Sequence, residues 1–222
     1  GRMNDVHYTP AGAQVVGAEL VRVFNQMFGM LVGRSSFQSP SEPRNLWPAG
    51  MMVGTDGVLT GITGVSGVDA EYGGDGTCVA SKEDVTGENP WQVFTITGAS
   101  LGDSLTIGGN SVPIAAAIGR SVQVELETEV SGDGIAAMVF GTTIYNDQDP
   151  PFKSIHAVSM APNFEQLAPL TDFYVLHKSP ICPVTSWVKL KTLDAQFLMC
   201  EGDTIIKIRC GGARAIGAAA PL

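Results

Sequence analysis

Residues 122–130 read VQVELETEV, with Val122, Val124, Leu126 and Val130 on one side and Gln123, Glu125, Glu127 and Glu129 on the other. A period of two is the signature of a strand with one buried face. Ser131-Gly-Asp-Gly134 follows at once, a strong hairpin signal. The next run, IAAMVFGTTIY (135–145), is apolar on both faces and is read as the hairpin partner and a central strand. Further strand candidates fall at 58–68, 76–80, 91–97, 104–107, 153–160, 172–177, 186–193, 196–200 and 204–210. Loops such as NDQDPP (146–151) and KSPICP (178–183) separate them. The 27 Gly and 13 Pro residues act mostly as punctuation between these runs. Short strands at regular spacing, with no second long helix between them, predict an all-β antiparallel β-sandwich or jelly roll and disfavour βαβ units. Hydrophobic residues make up 44% of the chain, enough for a sizeable core and against global disorder.

The first 50 residues read differently, as a helix and linker arm ahead of a β-sandwich body at 51–222. Thr9 is an N-cap, Pro10 suits the first helical position and Gly33 suits the exit, which predicts an amphipathic helix over about 10–32. Val16, Leu20, Val23, Met27 and Met30 form one apolar stripe, widened by Phe24, Phe28 and Leu31. Gly12, Gly17 and Gly29 weaken the helix by about 1 kcal/mol each relative to Ala, so it needs a surface to lie against: its own domain, a neighbouring subunit or a membrane. The segment SSFQSPSEPRNLWPAG (35–50) carries Pro40, Pro43 and Pro48 and reads as a linker anchored by Trp47. Val16, Leu20, Val23, Phe24, Met27 and Trp47 are therefore the candidate interface residues.

The formal charge of −9 is unevenly distributed. Residues 1–44 sum to +1, residues 45–152 to −12 and residues 153–222 to +2. An acidic chain of this kind lacks the basic footprint that duplex binding needs. The asymmetry suits opposed contact surfaces between copies, or simply a solvated acidic face.

Motifs for chemistry are sparse. Cys78, Cys182, Cys200 and Cys210 have no zinc spacing, and Cys200 and Cys210 fall in strand-like runs where Cys is usually a small buried hydrophobe. There is no signal-peptide pattern and no apolar run of about 18 residues. His7, His156 and His177 form no HxH or HExxH motif, and the latter two read as strand residues with ordinary partners. No Gly-X-Ser-X-Gly elbow is present. The stretch GVDAEYGGDG (67–76) is too acidic for a phosphate loop. Its Asp69, Glu71 and Asp75, like Asp147 and Asp149 beside Asn146, are either Ca²⁺-suited loop oxygens or solvated acids. Trp91 and Trp187 each open a strand run and are read as core or rim anchors; an exposed pair would instead make a sugar platform. No enzyme activity, metal or cofactor is expected.

Two short strings carry a resemblance. FQSP followed by Pro43 (37–43) is similar to the N-terminal arm of picornavirus-like capsid subunits, and EGDTIIKI (201–208) resembles the penultimate turn and strand of trimeric jelly-roll heads. With the helix, arm and strand-rich body, the chain resembles single jelly-roll viral or phage capsid proteins. That resemblance implies a non-enzymatic structural protein of the virion, assembling with itself or with other capsid subunits. The family's Tyr-X-Pro-Pro-Gly loop is missing, as is a basic arm. Such a subunit would not package nucleic acid by charge; it would sit over an internal membrane, in an outer layer, at a vertex or beside basic partners. The alternative is a carbohydrate- or receptor-binding β-sandwich module with a glycan partner.

Overall fold

A computed structural model describes residues 35, 45–46, 57–59, 63–65, 68–86, 89–108, 111–112, 119–146, 153–160, 169–179, 181–184 and 188–216. The expected helix over 10–32, with Val16, Leu20, Val23, Phe24 and Met27, lies outside them, as do Trp47 and the 50/51 boundary.

The described chain is an antiparallel sandwich of two seven-stranded sheets. The strands are β1 (Gly57–Leu59), β2 (Thr63–Val65), β3 (Val68–Gly73), β4 (Thr77–Glu83), β5 (Trp91–Ala99), β6 (Ser104–Gly108) and β7 (Ser111–Val112). They continue as β8 (Ser121–Gly132), β9 (Ile135–Asn146), β10 (Lys153–Met160), β11 (Phe173–Lys178), β12 (Cys182–Pro183), β13 (Val188–Met199) and β14 (Gly202–Ile216). The first sheet runs β1-β4-β5-β14-β8-β11, with β12 also on β8; the second runs β10-β9-β13-β6-β3-β2, with β7 also on β13. Alternation works as the sequence predicts. Val122, Val124, Leu126 and Val130 of β8 turn inward with Phe94, Ile96, Ile206 and Ile208, facing Leu105, Ile107, Phe140 and Phe197 from the second sheet.

Three expectations change. The runs 186–193 and 196–200 are one strand, β13, with its register shifted between Lys191 and Asp194; a bulge absorbs the irregularity that reads as a break. The stretch 67–76 is not one loop, because Val68–Gly73 is strand β3 with Ala70 and Tyr72 in the core. The Ser131–Gly134 turn does not close a hairpin. Both edges of β8 are taken, by β14 and β11. Strand β9 therefore crosses to the other sheet, where it pairs with β10 and β13.

Among the described strands eight connections change sheet, and four of them are tight turns: β3–β4, β5–β6, β8–β9 and β13–β14. Each crossing leaves backbone donors without a ladder, and buried donors need acceptors. Asp103 serves one pair: its Oδ2 accepts from Ser100 N (3.0 Å), Asp75 N (3.1 Å), Gly76 N (3.2 Å) and the Tyr72 hydroxyl (3.0 Å). The other pair is tied by Asp133 and Asp203. Asp203 N donates to Asp133 Oδ2 and Asp133 N to the Asp203 carbonyl, both at 2.7 Å. The two pairs are joined as well, since Asp203 Oδ1 accepts from Gly98 N at 2.8 Å and Met199 N donates to the Asp103 carbonyl at 2.7 Å. Gly74 and Gly202, both at positive φ, make room for these carboxylates, because a Cβ on either would collide with Asp103 or Asp133.

Burial alone raises the Asp103 carboxyl, but the hydrogen bonds from Ser100, Gly76, Tyr72 and Asp75 outweigh it and hold the group below the usual carboxylate range. Asp103→Ala should cost about 3 kcal/mol in urea unfolding, since it strands several donors at once. The Asp103 contribution is present above the unfolded carboxyl value of about 3.9 and is lost as pH falls through the lower folded value. The wild-type advantage over the variant should therefore shrink in acid.

Candidate functional site

The two outward faces of the sandwich differ. Half of the first sheet's outer face is a sealed layer of charge. On β8, Glu125 and Glu127 point away from the hydrophobic core yet are fully buried. Arg209 Nε holds Glu127 Oε2 at 2.8 Å, while Arg214 Nη2 (3.1 Å) and Lys178 Nζ (3.5 Å) face Glu125 Oε1. The Arg209 guanidinium also lies 4.1 Å over the Trp91 ring, and Trp91 meets Tyr174 edge-on at 6.1 Å. The Tyr174 hydroxyl is pushed up to about 12, by burial first and then by Glu127. Part of the cover comes from Ser35, which precedes the first strand in sequence. Ser35 N donates to Glu127 Oε1 at 2.7 Å and Ser35 Oγ to Glu125 Oε2 at 3.3 Å. Further along, Leu46 N donates to the Ala213 carbonyl at 2.7 Å and Asn45 Oδ1 accepts from Ala213 N at 3.1 Å.

Trp91 is thus 5% exposed and unavailable as a sugar platform. Its role as an anchor holds, while Trp187 lies outside the described residues. The other half of the same face is open: Val79, Thr95, Ile205 and Ser131 form one register row across β4, β5, β14 and β8.

The second sheet carries a more varied row. Glu71 stands opposite Thr106, Thr106 opposite Gln196, and Gln196 opposite Val139, so one line crosses β3, β6, β13 and β9. All four are exposed, Val139 by 37%. Their neighbours along each strand (Tyr72, Leu105, Ile107, Ala195, Phe197, Met138 and Phe140) are in the core. Small residues flank the row at Gly73, Ser104 and Gly108. Four strands at about 4.8 Å spacing make the row roughly 14 Å long. It offers a carboxylate, a hydroxyl, an amide and an aliphatic group, with no cation among them. The sequence shows each of these residues as the polar or exposed member of an alternating strand, but their alignment depends on registers between strands far apart in the chain.

The remaining candidates separate. Glu71 joins this row and Asp69 sits on the same strand, whereas Asp75 lies in the turn held by Asp103. Asp147 and Asp149 lie outside the described residues. Among the described residues no group of three or more His, Cys, Asp or Glu is placed to hold a metal ion. Burial pushes the Cys78 and Cys182 thiols up to about 12 and about 11, so neither is a reactive nucleophile. Cys200 is half-buried, less enclosed than its sequence context predicts, and the Cys210 side chain is outside the described residues.

His177 does not have the ordinary partner expected of it. It is buried beside Phe140, ring centroids 5.5 Å apart, and its Nε2 has no hydrogen-bond partner among the described residues. The His156 side chain lies outside them.

No protein-family model and no curated protein matches this chain. Solved structures similar to this chain include a carbohydrate-binding module from the β-sandwich superfamily (13% identity, TM-score 0.44, 82% of this chain and 62% of that one). Another is the enzymatically active domain of bacteriophage CBA120 tailspike protein 4 (11%, 0.40, 80% and 22%). A third is a xylan-binding domain of carbohydrate-binding module family 22 (10%, 0.37, 74% and 96%). The chain spans less than two thirds of the first two.

Burial holds the His177 imidazole down to about 4, against about 6.5 when unfolded. Its penalty is absent above pH 6.5 and grows as pH falls towards 4, reaching on the order of 3 kcal/mol. His177→Leu should flatten that part of the stability-versus-pH curve, as read by urea midpoints between pH 7 and 4.

Proposed function

We propose that this chain is a non-catalytic β-sandwich binding module whose ligand surface is the outer face of the second sheet, and that the ligand is a neutral glycan. One observation supports the reading: the exposed, in-register row Glu71–Thr106–Gln196–Val139. Its carboxylate, hydroxyl and amide match the donors and acceptors of sugar hydroxyls, and Val139 offers methyl groups to the C–H face of a ring. With one acid and no base, the row disfavours anionic ligands.

A glycan array should return neutral oligosaccharides. In calorimetry with the best hit, Gln196→Ala and Thr106→Ala should each weaken binding by roughly tenfold, about the net worth of one good hydrogen bond. Thermal stability should stay unchanged, because both side chains are exposed. Full affinity in the double variant, or no glycan bound by the folded protein, would remove the reading.

A second reading, a jelly-roll virion subunit assembling with copies of itself or with other shell subunits, is favoured by a different observation: Ser35, Asn45 and Leu46 of the arm engage β8 and β14 directly.

A further inference from the structure

The hold of β11 on the sandwich depends on one titratable residue. This strand ends the first sheet, bonded to β8 along one edge, and among the described strands nothing pairs with its other edge. Phe173, Tyr174, Val175 and Leu176 are half-buried and Lys178 is exposed, so His177 is the one buried residue of the strand. It stands opposite Leu126 on β8, and its ring meets Phe140 of the second sheet. Thr128, one inward position further along β8, carries a second buried polar atom, Oγ1, without a hydrogen-bond partner among the described residues.

Charge is absent from that side of β11. Strand β9, which brings Phe140, contains no Asp, Glu, Lys, Arg or His. On β8 the charged groups Glu125, Glu127 and Glu129 take the outward side, where they meet Lys178, Arg209 and Lys207. The Tyr174 hydroxyl is on that outward side too, beside Glu127. A proton on His177 therefore finds no carboxylate among the described residues and almost no water, and a buried charge in that position is costly. Water reaches it most cheaply if the edge strand leaves by itself, because a strand with few buried residues and one bonded edge opens at lower cost than the whole sandwich.

We propose that β11 is an acid-operated edge: protonation of His177 releases Phe173–Lys178 from β8 and Phe140 while the rest of the two sheets stays folded. Release uncovers the β8 edge and the apolar side chains of Leu126 and Phe140, so the chain presents a strand edge for pairing in acid and hides it at neutral pH. The sign follows from the two states of the imidazole. In the open strand it titrates at its ordinary value of about 6.5, and in the closed strand burial holds it down to about 4. Opening is therefore unaffected above pH 6.5, becomes more populated as pH falls, and approaches a ~300-fold gain below the closed-state value. The inference is independent of the glycan reading, whose residues lie on the second sheet.

Hydrogen exchange read by mass spectrometry tests it, with each rate divided by the intrinsic rate at that pH. Between pH 7 and 4, protection of the β11 amides in the wild type should fall by about a hundredfold, approaching the linkage limit, while β5, β6 and β13 keep theirs. In His177→Leu the protection of β11 should stay level over the same range. If that variant does not fold by circular dichroism, His177→Phe replaces it. Constant protection of β11 in the wild type would overturn the proposal, as would a loss shared by all strands, which marks global unfolding. An equal loss in the variant would overturn it as well, because the titrating groups would then be Glu125 and Glu127 and not His177.

Discussion

Four tight turns that carry the chain between the sheets are the constraint on which the rest depends. A strand that leaves one sheet for the other gives up its ladder, and the peptide groups at the corner need other partners. The chain meets that need with carboxylates. A single oxygen of Asp103 gathers donors from two crossings, and Asp133 with Asp203 closes the other two. With the corners held, the strands on either side keep their registers. Both outward rows, and with one of them the glycan reading, follow from those registers.

A second carboxylate layer acts on the first sheet. Glu125 and Glu127 occupy positions that alternation assigns to solvent, yet both are fully buried among Arg209, Arg214, Lys178, Trp91 and the arm. Buried ion pairs of this kind contribute less to stability than to specificity, because desolvation offsets much of their attraction. Here they mark where the arm sits. The −12 balance of residues 45–152 is thus not one solvated face: part lies in corner acceptors, part in this sealed layer, and part in exposed acids such as Glu71.

Legibility followed the distance over which each signal acts. Alternation in 122–130 placed four core residues correctly, and 153–160 matches β10, because burial of one face is a local pattern. The Ser131–Gly134 turn was legible as a reversal but not as a crossing. Turn residues encode a change of direction, while the choice of sheet depends on which edges of β8 are free. Asp103 has no local signature, because its partners sit 27 to 31 residues away or in the adjoining turn. Trp91 was readable as an anchor, but its stacking on Arg209 was not, since that contact spans more than half the chain.

By itself the sequence determined the class of fold, an antiparallel all-β body with its inward residues, because strand alternation and turn chemistry act within about ten residues. It also determined that the chain is acidic and carries no recognised catalytic or metal-binding motif. Only the tertiary structure decided which acids bond backbone, which are sealed under the arm and which remain open. The same long-range pairing decided that Glu71, Thr106, Gln196 and Val139 share one line. Those assignments depend on the registers of strands distant in sequence, and register is a property of the assembled sheets and not of any segment within them.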